Sequence, residues 1–571
     1  MNIRLQKAVL AALAVGVAGS ASAIDISTVP AANVIYSSGS TAIEAALRSY
    51  WFNSTDASTP CDSTQGSIDV YSAGAGSKFT AVACMSNTSY LTASSTSVPI
   101  AIIKESTAGS LNGVSALQNI AFSGSPSSAS GATVTGGVLP FPVITTLTTT
   151  ICGVGTATTG TGLQPYINHT CTGFTGTFLL PELGFSDVEG TLFAGTDPTT
   201  PVALNSGATV QVVFAPAVSL GLYHALQAVE GKTVGSEAVA DMPSLTRAQL
   251  STIFSGKVPT SLGWNWLANS AGAAVGGQTV LFGGATGNCF TGATTGTTYA
   301  ACTAPGTTAF APANANVYIC RRGANSGSEV SAEIFLNDYH CGAGTNPFAT
   351  ISTLQCTTAA TDGCAWTQAS SYTKVVFAGN GTGDLIDCLN GHDSAGHFAI
   401  GFASTDNLSG ASQSKASRRD FRYIKVDDVV PSIENAAAGK YQFVAQSLWY
   451  TPPSGAVNDP ATEGKAIAAA LVGQMAGSAT QGVGTVGSAI GVNGASVNSA
   501  QGFDGGVLVI PGQNGAVPTS ASDTTTHPFS ANPVSAVWKT GGATTNNCVR
   551  TTYYPTAPTS AVDGAAVWQT P

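Results

Sequence analysis

Charged residues are scarce in this chain of 571 residues. Lys, Arg, Asp and Glu make up 9% of it, whereas about a quarter is usual in soluble globular domains. Basic residues are the scarcer kind, with 20 of them against 30 acidic residues. Proteins that bind nucleic acid present a basic surface to the phosphates, so this balance argues against a nucleic-acid partner. Any anion site has to work through local dipoles and donors, against an unfavourable overall field.

Several motifs of catalysis and metal binding are also missing. The sequence has no Cys-x-x-Cys pair, which argues against zinc and thiol-redox sites. It has no Gly-x-Ser-x-Gly motif, so a serine nucleophile on a strand-to-helix turn is not indicated. No apolar run is long enough to span a bilayer. Hydrophobic residues still make up 43% of the chain, which is enough for a large core and argues against global disorder.

An export signal is predicted for residues 1–23. A basic start with Arg4 and Lys7 precedes a short apolar run at residues 8–19. Ala21-Ser22-Ala23 fits the small-residue rule for signal cleavage and makes Ile24 the expected mature start. Removal of the signal leaves 18 basic and 30 acidic residues, a net charge of −12. The residue directly after the cleavage site is Ile24 rather than cysteine, so we expect a soluble protein in the periplasm or outside the cell, without a lipid anchor.

All 12 cysteines follow the predicted signal. An even number of cysteines in an exported chain indicates disulfide bonds. We therefore expect most or all of them to be oxidised. Sequence cannot fix the connectivity, but the spacing favours local pairs: Cys61–Cys84, Cys152–Cys171, Cys289–Cys302 and Cys356–Cys364.

Three Ser/Gly-rich loops each follow a strand-like run. They lie at residues 37–41, 72–77 and 322–328. The first and third also precede helix-like runs, where free backbone N–H groups and the helix dipole favour an anion. Arg322 adds a planar guanidinium suited to a tetrahedral oxyanion. One such loop fits an ordinary capped helix equally well, whereas three of them favour a shared anion site.

The loops resemble those of the phosphate-binding branch of the type II periplasmic solute-binding proteins. That family has Gly-x-Thr in its first loop, Gly-x-Gly-Ser in its second and Arg-x-x-x-Ser-Gly-Thr/Ser in its third. Residues 39–41, 74–77 and 322–328 match these patterns in turn. Residues 245–257 resemble the family's helix and Ile-Phe-x-Gly-Lys turn, and residues 396–402 resemble its returning strand. The similarity spans residues 30–450, with large interruptions.

The resemblance implies an α/β fold in which two lobes of the periplasmic-binding-protein kind carry β-rich insertions. The expected segments are lobe I at 24–110, a Thr/Gly-rich insertion at 111–204, lobe II with loop insertions at 205–399, a return to lobe I at 400–450, and a Gly/Ser/Thr-rich C-terminal extension at 451–571. The implied ligand-binding residues are Ser40, Thr41, Gly76, Ser77, Arg322, Ser326, Gly327 and Ser328. We expect them to converge on one cleft between the lobes.

One family feature is not found at the expected place. The family has an aspartate after its second loop, which accepts a hydrogen bond from protonated phosphate. The comparable stretch is residues 97–101, where Ser97 stands in place of an aspartate and Lys104 and Glu105 follow. On this alignment the identity of the ligand stays open.

A group of histidines and aspartates presents a second possible site. His392, Asp393 and His397 lie close together, near Asp384 and Asp387. Imidazole and carboxylate are good metal ligands, but the spacing matches no standard motif. We interpret these residues as polar residues of a Gly-rich loop. We therefore predict no metal, no cofactor and no catalytic residues.

The sequence thus favours a non-catalytic, exported solute-binding protein for phosphate or a related oxyanion. Its further contacts would be a membrane transporter or self-association at the cell surface. The alternative is a secreted structural or surface protein on the same scaffold that binds no ligand. The Gly/Thr-rich segments favour this alternative, and so does the serine at the position of the family's aspartate. A hydrolase comes third, because no nucleophile motif supports it.

Overall fold

A computed structural model describes residues 24–280, 312–349, 374–458, 466–468 and short stretches between 498 and 553, with gaps inside these ranges, the longest at 122–131, 194–203 and 408–420. The predicted signal, residues 1–23, lies outside the described part. No helix within the described part is both long and apolar enough to cross a membrane.

The described chain has a mixed α/β fold, as the sequence predicts. Fourteen strands join into one mixed sheet. They are β1 (Val34–Gly39), β2 (Asp69–Ala73), β3 (Phe79–Met85), β4 (Pro99–Glu105), β5 (Thr156–Thr158), β6 (Tyr166–Cys171), β7 (Leu183–Ser186), β8 (Asn205–Ser219), β9 (Val317–Arg322), β10 (Lys374–Gly379), β11 (Ala399–Ser404), β12 (Phe421–Tyr423), β13 (Val444–Thr451) and β14 (Val507–Val509).

Five α-helices lie wholly within the described residues. They are α1 (Thr149–Cys152), α2 (Leu220–Val229), α3 (Arg247–Phe254), α4 (Gly327–Asn337) and α5 (Thr382–Ser394). Short strands also pair outside the main sheet, namely Ile120–Ala121 with Ala132–Thr133, Leu139–Pro142 with Gly176–Leu179, Ser244–Leu245 with Lys425–Val426, Asn498–Ser499 with Gly502–Phe503, and Val537–Trp538 with Thr552–Tyr553.

The main sheet has the strand order β10-β9-β11-β8-β13-β7-β1-β4-β3-β2-β6-β5. Two of its strands, β8 and β13, cross between its two parts. The first part of β8 pairs with β13, whereas its last part pairs with β11 and β12. We call strands β1–β7 lobe I. Strands β9–β12 with helices α2–α5 are lobe II. Strands β8 and β13 connect the two lobes.

Two strands have sheet neighbours that differ from those expected for their predicted segments. Strand β7 comes from the segment predicted as an insertion, yet it lies between β1 and β13. Strand β11 comes from the segment predicted to return to lobe I, yet it pairs with β9 and β8. The limits of the domains remain predictions.

Four disulfide bonds lie in the described part. Two of the predicted pairs are confirmed, Cys61–Cys84 and Cys152–Cys171. The structure adds Cys320–Cys388 and Cys341–Cys548, whose cysteines are 68 and 207 residues apart. The predicted pairs Cys289–Cys302 and Cys356–Cys364 lie outside the described residues. Disulfides form and persist in oxidising compartments, which agrees with the predicted export.

Candidate functional site

The candidate site begins where three strands of lobe I end. Strands β4 and β7 both run parallel to β1, on either side of it. Their carboxyl ends therefore lie at one edge of the sheet. Ser40 follows β1, Ser110 lies in a 3-10 turn after β4 (Gly109–Gly113), and Asp187 follows β7 directly.

Three glycines allow these strand ends to meet closely. A Cβ on Gly39 would lie 1.9 Å from the Phe185 carbonyl oxygen, and one on Gly113 would lie 2.0 Å from the same atom. A Cβ on Gly184 would lie 1.9 Å from the Gly113 carbonyl oxygen. Gly39 also has a φ of +107°, which favours glycine. Larger residues at these positions would separate the three loops that carry Ser40, Ser110 and Asp187.

Asp187 is the carboxylate at the centre of this edge. Its side chain is buried and accepts a hydrogen bond from the Ser40 hydroxyl and another from the Ser110 hydroxyl, the latter at 2.9 Å. Burial raises the pKa of the Asp187 carboxyl above its ordinary value. The two serine hydrogen bonds and the charges of Arg322 and Lys104 act in the opposite direction. Nearby positive charge therefore favours the ionised form of this carboxyl.

Lobe II supplies that charge through Arg322, at the end of β9. The side chain is buried, with 2% of its surface exposed, and its Nη1 donates to the Thr382 hydroxyl at 2.8 Å. Burial lowers the pKa of Arg322, while the acidic charges of Asp187, Asp384 and Glu329 raise it. The Arg322 Nη2 lies 3.6 Å from the point that a Cβ on Gly109 would occupy. The guanidinium therefore reaches the 3-10 turn of lobe I.

The start of helix α4 lies beside Arg322. Ser326 is its N-cap residue, and the Ser326 side chain makes no capping hydrogen bond. A Cβ on Gly327, the first residue of the helix, would lie 2.6 Å from the Ser110 Oγ and 2.7 Å from the Asp187 Cβ. The two lobes are thus in direct contact at this point. The positive end of the helix dipole, where the first N–H groups have no partner within the helix, therefore lies next to Asp187.

Lys104 on β4 holds the end of β1 in place. Its buried ammonium group donates to the Gly39 carbonyl at 3.2 Å and forms an ion pair with Glu44 at 3.1 Å. The Ser106 hydroxyl also donates to Glu44. Lys104 therefore fixes the chain just before Ser40 and places a second positive charge near Asp187.

The predicted site residues divide into two groups. Ser40, Arg322, Ser326, Gly327 and Ser328 are described, and all but the glycine have buried side chains. Ser40, Arg322, Ser326 and Gly327 lie where the lobes meet. Thr41 follows Ser40 and is half-buried, with its carbonyl accepting from the Glu44 N–H at 3.3 Å. Gly76 and Ser77 lie outside the described residues. Strand β2, which leads to them, is three places from β1 in the sheet.

Ser110 and Asp187 are the site residues that sequence reasoning missed. The sequence comparison places Ser97 at the aspartate position, but Ser97 precedes β4 and so lies at the opposite end of that strand from the site. Asp187 instead follows β7 in the segment predicted as an insertion. The available signal was Gly184-Phe185-Ser186-Asp187, a strand that ends in a small polar residue and a carboxylate.

Four of these residues, Asp384, Asp387, His392 and Asp393, lie in helix α5 rather than in a loop, so the loop interpretation was wrong for them, whereas His397 follows the helix. His392 and Asp393 lie in α5, and Asp393 accepts from the Gly221 N–H at the start of α2 at 2.8 Å. The Nδ1 atoms of His392 and His397 are 3.3 Å apart, and both rings lie against Tyr318. Cys320 and Cys388 are close to His392. Their sulfurs are joined in a disulfide bond, which leaves no thiolate to hold a metal.

The two histidines should make the stability of the protein depend on pH. Burial, with a smaller contribution from His397, lowers the pKa of His392 well below its ordinary value, and burial lowers the pKa of His397 to about 4. The unfolded chain binds protons at both rings below about pH 6.5, while the folded protein keeps them neutral. The free energy of unfolding should therefore fall as pH falls from about 6.5 towards 4, by up to ~1.4 kcal/mol per pH unit for each ring.

Urea unfolding of the wild type and of His397→Gln between pH 7 and 4.5 checks this expectation. The carboxylates titrate alike in both proteins, so the difference between the two slopes reports on the histidine. The free energy of unfolding should depend less on pH in the variant, by about the contribution of one histidine ring. Parallel curves would contradict a neutral, buried His397.

An Asp–His pair in lobe I bears on the hydrolase alternative. His169 Nε2 lies 2.8 Å from the Asp69 Oδ1, and the ring stacks on Tyr71. Its other nitrogen, Nδ1, faces the Gly153 carbonyl oxygen at 3.3 Å. A catalytic triad needs a nucleophile's hydroxyl at that position. The Gly153 carbonyl occupies that position, so the pair links β2 to β6.

No protein-family model and no curated protein matches the chain. Among solved structures it overlaps a putative phosphate ABC transporter substrate-binding protein with bound phosphate from Clostridium perfringens. That overlap covers 51% of this chain and 72% of the other, with 13% identity and a TM-score of 0.26. An ABC-type phosphate transport receptor from Vibrio cholerae overlaps 51% of this chain and 74% of its own length, with 14% identity and a TM-score of 0.24. Similarity this low carries no argument about a ligand.

Proposed function

We propose that this protein binds phosphate or a related tetrahedral oxyanion where its two lobes meet, and that it catalyses no reaction. One observation supports the proposal most. Lobe II places a buried guanidinium, Arg322, and the start of a helix against two serine hydroxyls and a carboxylate of lobe I. Such an arrangement of donors in a water-poor site suits an anion, because it replaces the anion's hydration shell.

Asp187 gives the proposed site a preference among oxyanions. A carboxylate repels an anion unless the anion carries a proton to donate to it. Phosphate and arsenate carry such a proton near neutral pH, and sulfate does not. A site that contains Asp187 should therefore accept phosphate and arsenate and discriminate against sulfate, since a buried acceptor left without a donor is costly.

Calorimetric titration of the mature protein with phosphate, arsenate and sulfate tests the proposal. We expect phosphate and arsenate to bind, and sulfate to bind at least about tenfold more weakly, the equivalent of one charge-assisted hydrogen bond. Asp187→Asn should weaken phosphate binding by about 10- to 100-fold and reduce the preference over sulfate, because an amide can also donate. The exposed Asp428→Asn serves as the control and should leave all three titrations unchanged.

A second candidate is a secreted structural or surface protein that keeps the scaffold and binds no ligand. The specific observation in its favour is that Asp187 already accepts from both Ser40 and Ser110, while Gly327 lies directly against the pair. In such a protein the carboxylate of Asp187 itself takes the place of the anion. The absence of heat with all three oxyanions would reject the first candidate and leave this one.

The partner differs between the two candidates. A solute-binding protein delivers its oxyanion to a membrane transporter, whereas a surface protein associates with copies of itself. The mature net charge of −12 argues against nucleic acid in either case.

A further inference from the structure

The C-terminal extension contacts both lobes through two consecutive residues. Asn547 and Cys548 lie within the segment predicted as residues 451–571, for which the sequence suggests no role. Asn547 is buried, with 2% of its surface exposed. Its neighbour Cys548 is covalently bonded to Cys341.

Asn547 holds lobe I through Glu189, two residues beyond Asp187. The Asn547 backbone N–H donates to the Glu189 Oε1 at 2.6 Å, and its side-chain amide donates to the Glu189 Oε2 at 2.8 Å. Both carboxylate oxygens are engaged by one residue. Hydrogen bonds to an ionised group are stronger than those between neutral groups, so this is a well-defined point of attachment.

The same asparagine holds the strand that crosses between the lobes. The Gln446 N–H on β13 donates to the Asn547 Oδ1 at 2.8 Å, and the Asn547 Nδ2 donates to the Gln446 carbonyl at 3.1 Å. The side chain thus pairs with β13 as a neighbouring strand would. Strand β14 of the same extension pairs with β8, the other crossing strand. Described residues of the extension therefore contact both connections between the lobes.

Lobe II is held covalently. Cys341 follows helix α4 by four residues, since that helix ends at Asn337. The start of α4 supplies Ser326, Gly327 and Ser328 to the candidate site. The Cys341–Cys548 bond consequently ties the extension to the element that faces Asp187. Consecutive Cα atoms are only about 3.8 Å apart, so the link from Glu189 through Asn547 and Cys548 to Cys341 has little slack.

We propose that Asn547 and Cys548 form a strap that keeps the cleft between the lobes closed. Separation of the lobes moves Glu189 away from Cys341. Because the disulfide does not break by thermal motion, the hydrogen bonds between Asn547 and Glu189 have to break first. Glu189 is then the releasable end of the strap and Cys341 is its fixed end. This inference does not depend on which ligand, if any, the cleft holds.

Amide hydrogen exchange on the full mature protein, in a buffer free of phosphate, tests the strap. The peptides of interest cover residues 109–113 and 323–328, which lie on the two facing sides of the cleft. In Asn547→Ala and in the double variant Cys341→Ser/Cys548→Ser, these peptides should exchange at least about tenfold faster than in the wild type, because local opening becomes easier. Peptides from β3, inside lobe I, should be unaffected.

The matched control is Cys61→Ser/Cys84→Ser, which removes a disulfide that lies wholly within lobe I. It should leave exchange at the cleft peptides unchanged relative to the wild type. The strap is rejected if cleft exchange is unchanged in Asn547→Ala, or if the control accelerates it as much as the Cys341→Ser/Cys548→Ser variant does. Should that double variant fail to fold, Asn547→Ala decides, because it keeps every disulfide.

Discussion

Arg322→Ala should lower the affinity for phosphate by about 30- to 5,000-fold, the equivalent of ~2–5 kcal/mol for removal of one partner from a buried charge pair. The Arg322 guanidinium is buried where the lobes meet, so water cannot take over its role in full. Its loss would leave the oxyanion beside Asp187, whose pKa is raised by burial and would then be lowered only by the Ser40 and Ser110 hydrogen bonds and the charge of Lys104. We expect calorimetry to detect no binding at ligand concentrations that saturate the wild type.

Two further variants define what Arg322 contributes. Arg322→Lys keeps the charge but loses the planar fork and the donor to Thr382, so it should restore affinity only in part. Arg247→Ala removes a partly exposed arginine paired with the exposed Asp338 and should leave the affinity for phosphate unchanged. Wild-type affinity in Arg322→Ala, with the protein shown to be folded by its thermal transition, would remove Arg322 from the site.

The elements of lobe II that carry Arg322 could be predicted because their signals are local. Residues 317–322 combine β-branched and aromatic residues, and all six are buried in β9. The Ser/Gly pattern that follows marks the start of α4 within the loop itself. Strand, loop and helix are adjacent in sequence, so no distant contact is needed to recognise them.

The lobe I side could not be predicted in the same way because its members are far apart in sequence. Ser40 and Asp187 form a hydrogen bond across 147 positions, and Ser110 and Asp187 do so across 77. The segment between β4 and β7 is rich in Thr and Gly, which is typical of a surface insertion. The strand order that brings Asp187 beside Ser40 depends on tertiary pairing, and no local pattern records it.

Helix α5 shows the same limit for secondary structure. It contains Gly383, Gly391 and several aspartates, residues that favour turns over helices. Burial of Leu385, Ile386 and Leu389 and the Cys320–Cys388 bond to β9 hold it helical in spite of that composition. Tertiary packing therefore overrides propensity here, and the histidines that resembled a loop are core residues.

Gly327→Ala should damage the junction of the lobes even though alanine suits a helix better than glycine does. Intrinsic propensity alone would stabilise α4 by at most about 1 kcal/mol, the value for a helix interior. The new Cβ, however, would lie 2.6 Å from the Ser110 Oγ and 2.7 Å from the Asp187 Cβ, closer than real Cβ contacts come. Either the start of α4 or the loops of lobe I must then move, which typically costs ~1–3 kcal/mol in a packed interior.

Two measurements report this cost, one of them independent of any ligand. The free energy of unfolding should fall by up to about 2 kcal/mol, the overpacking cost less the gain in helix propensity. Phosphate affinity should also fall, by about 5- to 150-fold, because the donors at the start of α4 no longer meet those of lobe I. The first effect is expected whether or not the cleft binds an oxyanion.

Gly323→Ala and Gly383→Ala are the matched controls for this substitution. A Cβ on Gly323 meets only the Gly379 carbonyl oxygen, at 3.8 Å, and one on Gly383 meets nothing within 4 Å. Both glycines lie within a few residues of Arg322 or its partner Thr382, so the controls share the surroundings of the site but not the contact between lobes. If all three variants behave alike, Gly327 does not hold the lobes together. If Gly327→Ala alone loses stability and affinity, the close approach of α4 to Ser110 and Asp187 is what builds the site.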